Sequence, residues 1–266
     1  MPIRYPFHRK IIDVRSSALA ALAAAATVCA TVFGAATSMA ADLKILSTAN
    51  AAIRGALTEL APQFEKSTGH RISVEYASAL PLKRRIDAGE TFDVVIAPNL
   101  VDALVEQGKV AAPTRATLAR SGLGVGVPKG APKPEIGSAD ALQRTLLNAR
   151  SIAYQPESEP GALFLQVLDR LPAAQEVRVR LKAIGSTDLA AAIDKHDAEI
   201  FVSSIANLTP MIETVVEFPP ELQRHIDFAI AVSAASKQPE AAGALVRFLV
   251  SPAVATVFKA RGLQRD

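Results

Sequence analysis

Tryptophan is absent from the 266 residues, aromatics make up only 5 %, and there is a single cysteine, Cys29, inside the first forty residues. Beyond that point the chain can form no disulfide, no thiolate metal site and no cysteine nucleophile, which suits an oxidising exported compartment. Histidine is equally sparse. His70, His196 and His225 follow the first forty residues, and none stands in an H-E-x-x-H or H-x-H arrangement. Set among polar neighbours, all three are expected to be solvated surface residues. No G-x-S-x-G nucleophile elbow occurs either. Net charge is the last scarcity. The formal +3 is that of Arg4, Arg9, Lys10 and Arg15 less Asp13, and residues 41–266 hold equal numbers of acidic and basic side chains. A neutral remainder argues against a nucleic-acid or anionic-membrane partner. The Lys83-Arg84-Arg85 run falls on a short predicted helix and reads as a solvated face.

What is present begins with a targeting pattern. Four basic residues precede an alanine-rich apolar run from Ser17 to Ala36 and the small-residue stretch Ser38-Met39-Ala40. This is the layout of a secretory signal peptide cleaved after Ala40, which places the mature chain in the periplasm. A membrane anchor is the alternative, because the run is long enough to span, but weakly hydrophobic alanines and the small-residue end favour cleavage. Ala26-Thr27-Val28 before Cys29 lacks a lipoprotein pattern.

From Leu43 the chain alternates strand and helix signals. Leu43 to Leu46 reads as a strand, Ser47-Thr48-Ala49-Asn50 as a turn, and Ala51 to Ser67 as a helix with Ile53, Leu57, Leu60 and Phe64 on one face. The next unit repeats this logic: strand Ile72 to Tyr76, a helix after Ala77-Ser78-Ala79 carrying Leu82 and Ile86, then an apolar strand, Phe92 to Ala97, ending at Pro98-Asn99. Asn99 is placed to cap a helix with Leu100, Val101, Leu104 and Val105 inward. Gly122-x-Gly124-x-Gly126 leads to Pro128 rather than a helix, so it fails the dinucleotide pattern. It reads as a strand whose glycines allow close packing where the chain crosses between lobes. Further strands are predicted at Ser151 to Tyr154, Ile200 to Val202 and Phe228 to Val232, with helices between them and two more closing the chain. Some seven strands and nine helices without internal repeats imply an α/β fold with a mainly parallel sheet in each of two lobes. The expected boundaries are 41–122 with 231–266 for lobe 1 and 123–230 for lobe 2.

Small hydroxyl and amide residues recur where predicted strands run into helices: Ser47, Thr48 and Asn50, then Ser78, Asn99, Ser158 with Gly161, and finally Ser203 and Ser204. Each alone is an ordinary cap or turn residue. Together, converging on one cleft, they would form a small-ligand or anion site built from neutral donors. No metal ligand set and no cofactor motif accompanies them.

The order of features resembles the extracellular solute-binding proteins of the molybdate/tungstate transporter type, of the type II periplasmic binding fold. The resemblance rests on Ala61-Pro62-Gln63-Phe64-Glu65-Lys66-Ser67-Thr68-Gly69-His70, Val74-Glu75-Tyr76-Ala77-Ser78 and Ile86-Asp87-Ala88-Gly89 leading to Phe92-Asp93-Val94-Val95-Ile96. Near the end, Lys237-Gln238-Pro239-Glu240-Ala241-Ala242 and Phe248-Leu249-Val250-Ser251-Pro252 match as well. It implies two lobes joined by two crossing strands, and a monomeric receptor that presents a solute to the permease of an ABC transporter. The family's first-loop serine falls on Ala52, Ser78 is flanked by Ala77 and Ala79, and the late tyrosine is replaced around Phe201-Val202-Ser203-Ser204. A molybdate-like oxyanion or a small organic acid is therefore the expected ligand, bound without covalent chemistry and without enzymatic activity. The rival expectation is a periplasmic enzyme on the same scaffold, dehydratase- or lyase-like, with Glu157, Glu159 or His225 as acid or base.

Overall fold

The computed structural model describes Met1, residues 40–185 and residues 187–265. The expected signal peptide, from its second residue to Met39, lies outside the described residues.

Each half of the fold starts from parallel strands. β1 (Asp42–Thr48) runs parallel to β2 (Arg71–Ala77) on one side and to β3 (Val94–Pro98) on the other. β5 (Ile152–Tyr154) runs parallel to β6 (Leu181–Ala183) and to β7 (Ile200–Ser204). Two strands running the other way join these sets. β9 (His225–Val232) pairs antiparallel with β3 and with the first part of the twelve-residue β4 (Ala116–Val127), whose second part pairs antiparallel with β7 and with β8 (Thr214–Glu217). The path is β2-β1-β3-β9-β4-β7-β5-β6, with β8 beside β4. One strand thus belongs to both half-sheets, which makes the expected two lobes continuous through β4.

Local chemistry explains the elements. α1 (Ala51–Thr68) buries Ile53, Leu57, Leu60 and Phe64, spaced to form one stripe. Asn50 Oδ1 caps it by accepting from the N–H groups of Ala52 and Ile53 at 3.0 and 3.1 Å. Gly69, at φ +77°, ends it in the left-handed conformation that costs glycine least. The glycines of β4 serve packing. A Cβ on Gly124 would meet Ile205 Cγ1 at 3.0 Å and the Val216 carbonyl oxygen at 3.1 Å, so its absence lets the short α8 (Ile205–Leu208) and β8 close on the strand.

Two strands escape the periodicity. β6 and β8 are three and four residues long and half-exposed or exposed, so no apolar alternation announces them. His70 corrects a second expectation, for it is buried. Its Nδ1 accepts from the Ala41 N–H at 3.1 Å, and its ring lies 5.9 Å from that of Phe64. The register that pairs Asp42 with Arg71 folds the turn holding His70 over the start of β1, a relation its polar sequence neighbours conceal. The basic run behaves as expected of a solvated face: Lys83 pairs with Asp87, and Arg85 with Glu75 and Glu90.

Candidate functional site

Between the two half-sheets lies a cleft of about 430 Å³. Its first wall comes from Thr48, Ala49 and Asn50 after β1, Ser78 and Ala79 at the start of α2 (Ala79–Asp87), and Pro98 at the end of β3. The second wall comes from Gln155, Glu157, Ser158 and Glu159 between β5 and α5 (Glu159–Leu168), and from Ser204 and Asn207 around α8. Leu189, Met211, Ile226 and Phe228 supply an apolar part of the surface.

The sequence-predicted donors divide by place. Thr48, Asn50, Ser78, Ser158 and Ser204 line the cleft. Ser47, Ser203 and Gly161 do not. Ser47 is fully buried with its hydroxyl on the Thr48 carbonyl, because alternation along β1 turns it away. Ser203 is buried and accepts from Asn207 Nδ2 at 3.2 Å. Gly161 is buried, and a Cβ there would meet the Gln155 carbonyl oxygen at 1.8 Å, so the position serves close packing of the loop. Asn99 is exposed at the rim and makes no capping bond to α3 (Leu100–Glu106). It holds φ +54°, an uncommon conformation for a residue other than glycine, and its Nδ2 donates to Glu159 Oε1 at 2.6 Å.

They divide again by what they have left to give. Asn50 Oδ1 is spent on α1, Ser158 Oγ accepts from the Gly161 N–H at 3.1 Å, and Ser204 Oγ accepts from the Asn207 N–H at 3.2 Å. Ser78, by contrast, makes no capping bond, and the N–H groups of Ala79 and Leu80 at the start of α2 have no side-chain cap. Thr48 Oγ1 is buried without a hydrogen-bond partner. A hydroxyl orphaned in this way costs about 1–3 kcal/mol.

Asn207 was invisible to sequence reasoning as a cleft residue. Its Oδ1 accepts from Asn50 Nδ2 at 2.7 Å, joining loops 157 residues apart. The available signal was Ser204 three positions earlier, an N-cap for a short helix that would face the cleft. Among the acid or base candidates, His225 is exposed and does not line the cleft, and Glu157 is exposed within it. Glu159 is half-buried, and burial pushes its carboxyl above the usual range, with Asp227 adding to the rise and the Asn99 bond opposing it. Glu157 and Glu159 are the only charged residues among the described residues lining the cleft.

The profile of the bacterial extracellular solute-binding proteins matches residues 45–264. The chain belongs to this family. Among curated proteins it is 29 % identical to an aconitate isomerase of a Pseudomonas species over 221 residues, covering 80 % of this chain and 84 % of that one. It is 26 % identical to the molybdate-binding protein ModA of Escherichia coli K12 over 227 residues, covering 82 % and 88 %. The periplasmic molybdate-binding protein of Azotobacter vinelandii superposes with a TM-score of 0.68 at 20 % identity, over 84 % of this chain and 99 % of that one. The expected resemblance and the type II periplasmic binding fold are thereby established. The expectation of a protein without enzymatic activity is corrected: the relative that matches 80 % of this chain at 29 % identity carries the name of an enzyme, an aconitate isomerase.

Proposed function

We propose that this protein is an exported binding protein whose cleft, between lobes 41–122 with 231–266 and 123–230, takes a small unsaturated carboxylate of the aconitate type and isomerises it. The observation that carries this reading is the pair of carboxylates, exposed Glu157 and half-buried Glu159, lining one cleft with the unspent donors of Thr48 and Ser78. Two acids held in different environments suit one proton acceptor and one proton donor. A cleft of this volume with an apolar surface also suits a carbon skeleton better than a bare oxyanion of five heavy atoms.

The chemistry needs no cofactor. The Glu157 carboxylate takes a proton from the saturated carbon next to the conjugated C=C bond. The electron pair of that C–H bond delocalises into a dienolate, whose oxygen accepts hydrogen bonds from protonated Glu159, Thr48 and Ser78. The former double bond loses its order and rotates, and Glu157 returns the proton to carbon. Substrate and enzyme end with the atoms they started with.

The test is to incubate the purified protein with cis-aconitate in D2O and follow both isomers by proton NMR. Interconversion with deuterium entering the methylene is expected, and Glu157→Gln should lower its rate by about 10²–10⁴-fold while binding persists. Aconitate that neither stabilises the protein thermally nor is converted would remove the carboxylate reading.

A second reading is favoured by the likeness to ModA and by the uncapped start of α2: a receptor that delivers an anion to an ABC permease. Thermal stabilisation by molybdate, sulfate or a carboxylate without any conversion would select it. Either way the lobes would close on the ligand only as far as it binds the closed form more tightly.

A further inference from the structure

The charges around the cleft are arranged against an anion. Glu159 shares the cleft lining with Glu157 and feels Asp227 of β9, and no lysine, arginine or histidine lines the cavity among the described residues. Nearby cations are engaged elsewhere: Arg120 pairs with Asp227 at 3.1 Å, and Arg115 with Asp102 at 2.9 Å. An ionised Glu159 would repel an incoming carboxylate at close range. A protonated one would add a donor on the second wall, opposite the hydroxyls of Thr48 and Ser78. The Asn99 amide already donates to Oε1 at 2.6 Å, and the other oxygen has no partner among the described residues, so a proton on Oε2 completes the group as a donor.

Resting on the carboxylate reading above, we propose that the site takes up one proton on Glu159 as it takes its anionic ligand. Binding is then coupled to pH, with the protonated carboxyl doing the work of an absent cation. Each molecule of ligand captured from neutral solution removes one proton from bulk water, and each release returns it.

The experiment is calorimetric titration of trans-aconitate into the full protein at pH 7 in buffers of different ionisation enthalpy, then across pH 6–8. Wild type should take up close to one proton more than Glu159→Gln, whose amide is a permanent donor. Wild-type affinity should fall by up to about tenfold per pH unit relative to the variant, whose affinity stays high. Equal proton counts in the two proteins would overturn the inference while leaving the ligand assignment standing. Absence of binding in both would remove the ligand assignment and the inference together. Asp227→Asn provides an independent check should Glu159→Gln fail to fold, because removing that anion lowers Glu159's hold on its proton. The midpoint of the affinity curve should move to lower pH, and an unmoved midpoint would count against the proposal.

Discussion

The two walls of the cleft are made from the same kinds of residue and have opposite dispositions. On the wall from β1 and α2, Thr48 Oγ1 is buried without a partner and Ser78 caps nothing. Across from it, Ser158 and Ser204 are committed to the helices they begin, and the groups left to act are carboxylates. A hydroxyl at a strand-to-helix junction is therefore no guide to binding until its hydrogen bonds are counted. On the proposed reading the first wall would hold the ligand and the second would exchange protons with it.

Substitutions should separate the walls. Thr48→Val and Ser78→Ala should each weaken aconitate binding by roughly 10–100-fold, the cost of a lost hydrogen bond to a charged group, while thermal unfolding of the empty protein is unchanged or, for Thr48→Val, raised. Titration and calorimetry of the same samples read both quantities. An equal loss of stability and affinity would erase the contrast. Next in size, Ser158→Ala should cost about 1 kcal/mol of stability, as loss of an N-cap does, with affinity retained. A collapse of affinity there would place a ligand contact on the second wall.

The smallest effect is a pH contrast between carboxylates. Glu90, bonded to Arg85 and Lys44, is held down to about 2. Its contribution to stability is present above the ordinary value of 4.5 and is lost as pH falls from there toward 2. Glu159 has the opposite sign, because its folded carboxyl binds protons more tightly than the unfolded one. Its contribution is complete below 4.5 and is lost as pH rises through its raised value. Urea unfolding from pH 3 to 8 of Glu90→Gln and Glu159→Gln should bend in opposite directions relative to wild type.

Much of this was legible because it is local. Ile53, Leu57, Leu60 and Phe64 announce α1 through their spacing, Asn50 and Gly69 announce its ends, and the apolar run before Pro98 announces β3. β6 and β8 were not, because strands of three and four residues with no buried alternating face carry no period to detect. Nor was the burial of His70, which depends on how β1 and β2 align. The split among the serines was equally hidden. Alternation turns Ser47 inward and the Asn207 amide occupies Ser203, so neither reaches the cleft, and nothing adjacent in the chain says so.

By itself, then, the order of residues determined the alternation of strands and helices, the caps, the neutral charge of residues 41–266 and the membership of an exported binding family, since each depends on spacing within a few turns or on composition. The three-dimensional fold alone decided which caps keep a donor to spare, that Glu159 is half-buried opposite Asn99, and that Asn50 meets Asn207. Those facts rest on pairings across 60 and 157 residues, where a hydrogen bond depends on how the half-sheets face each other.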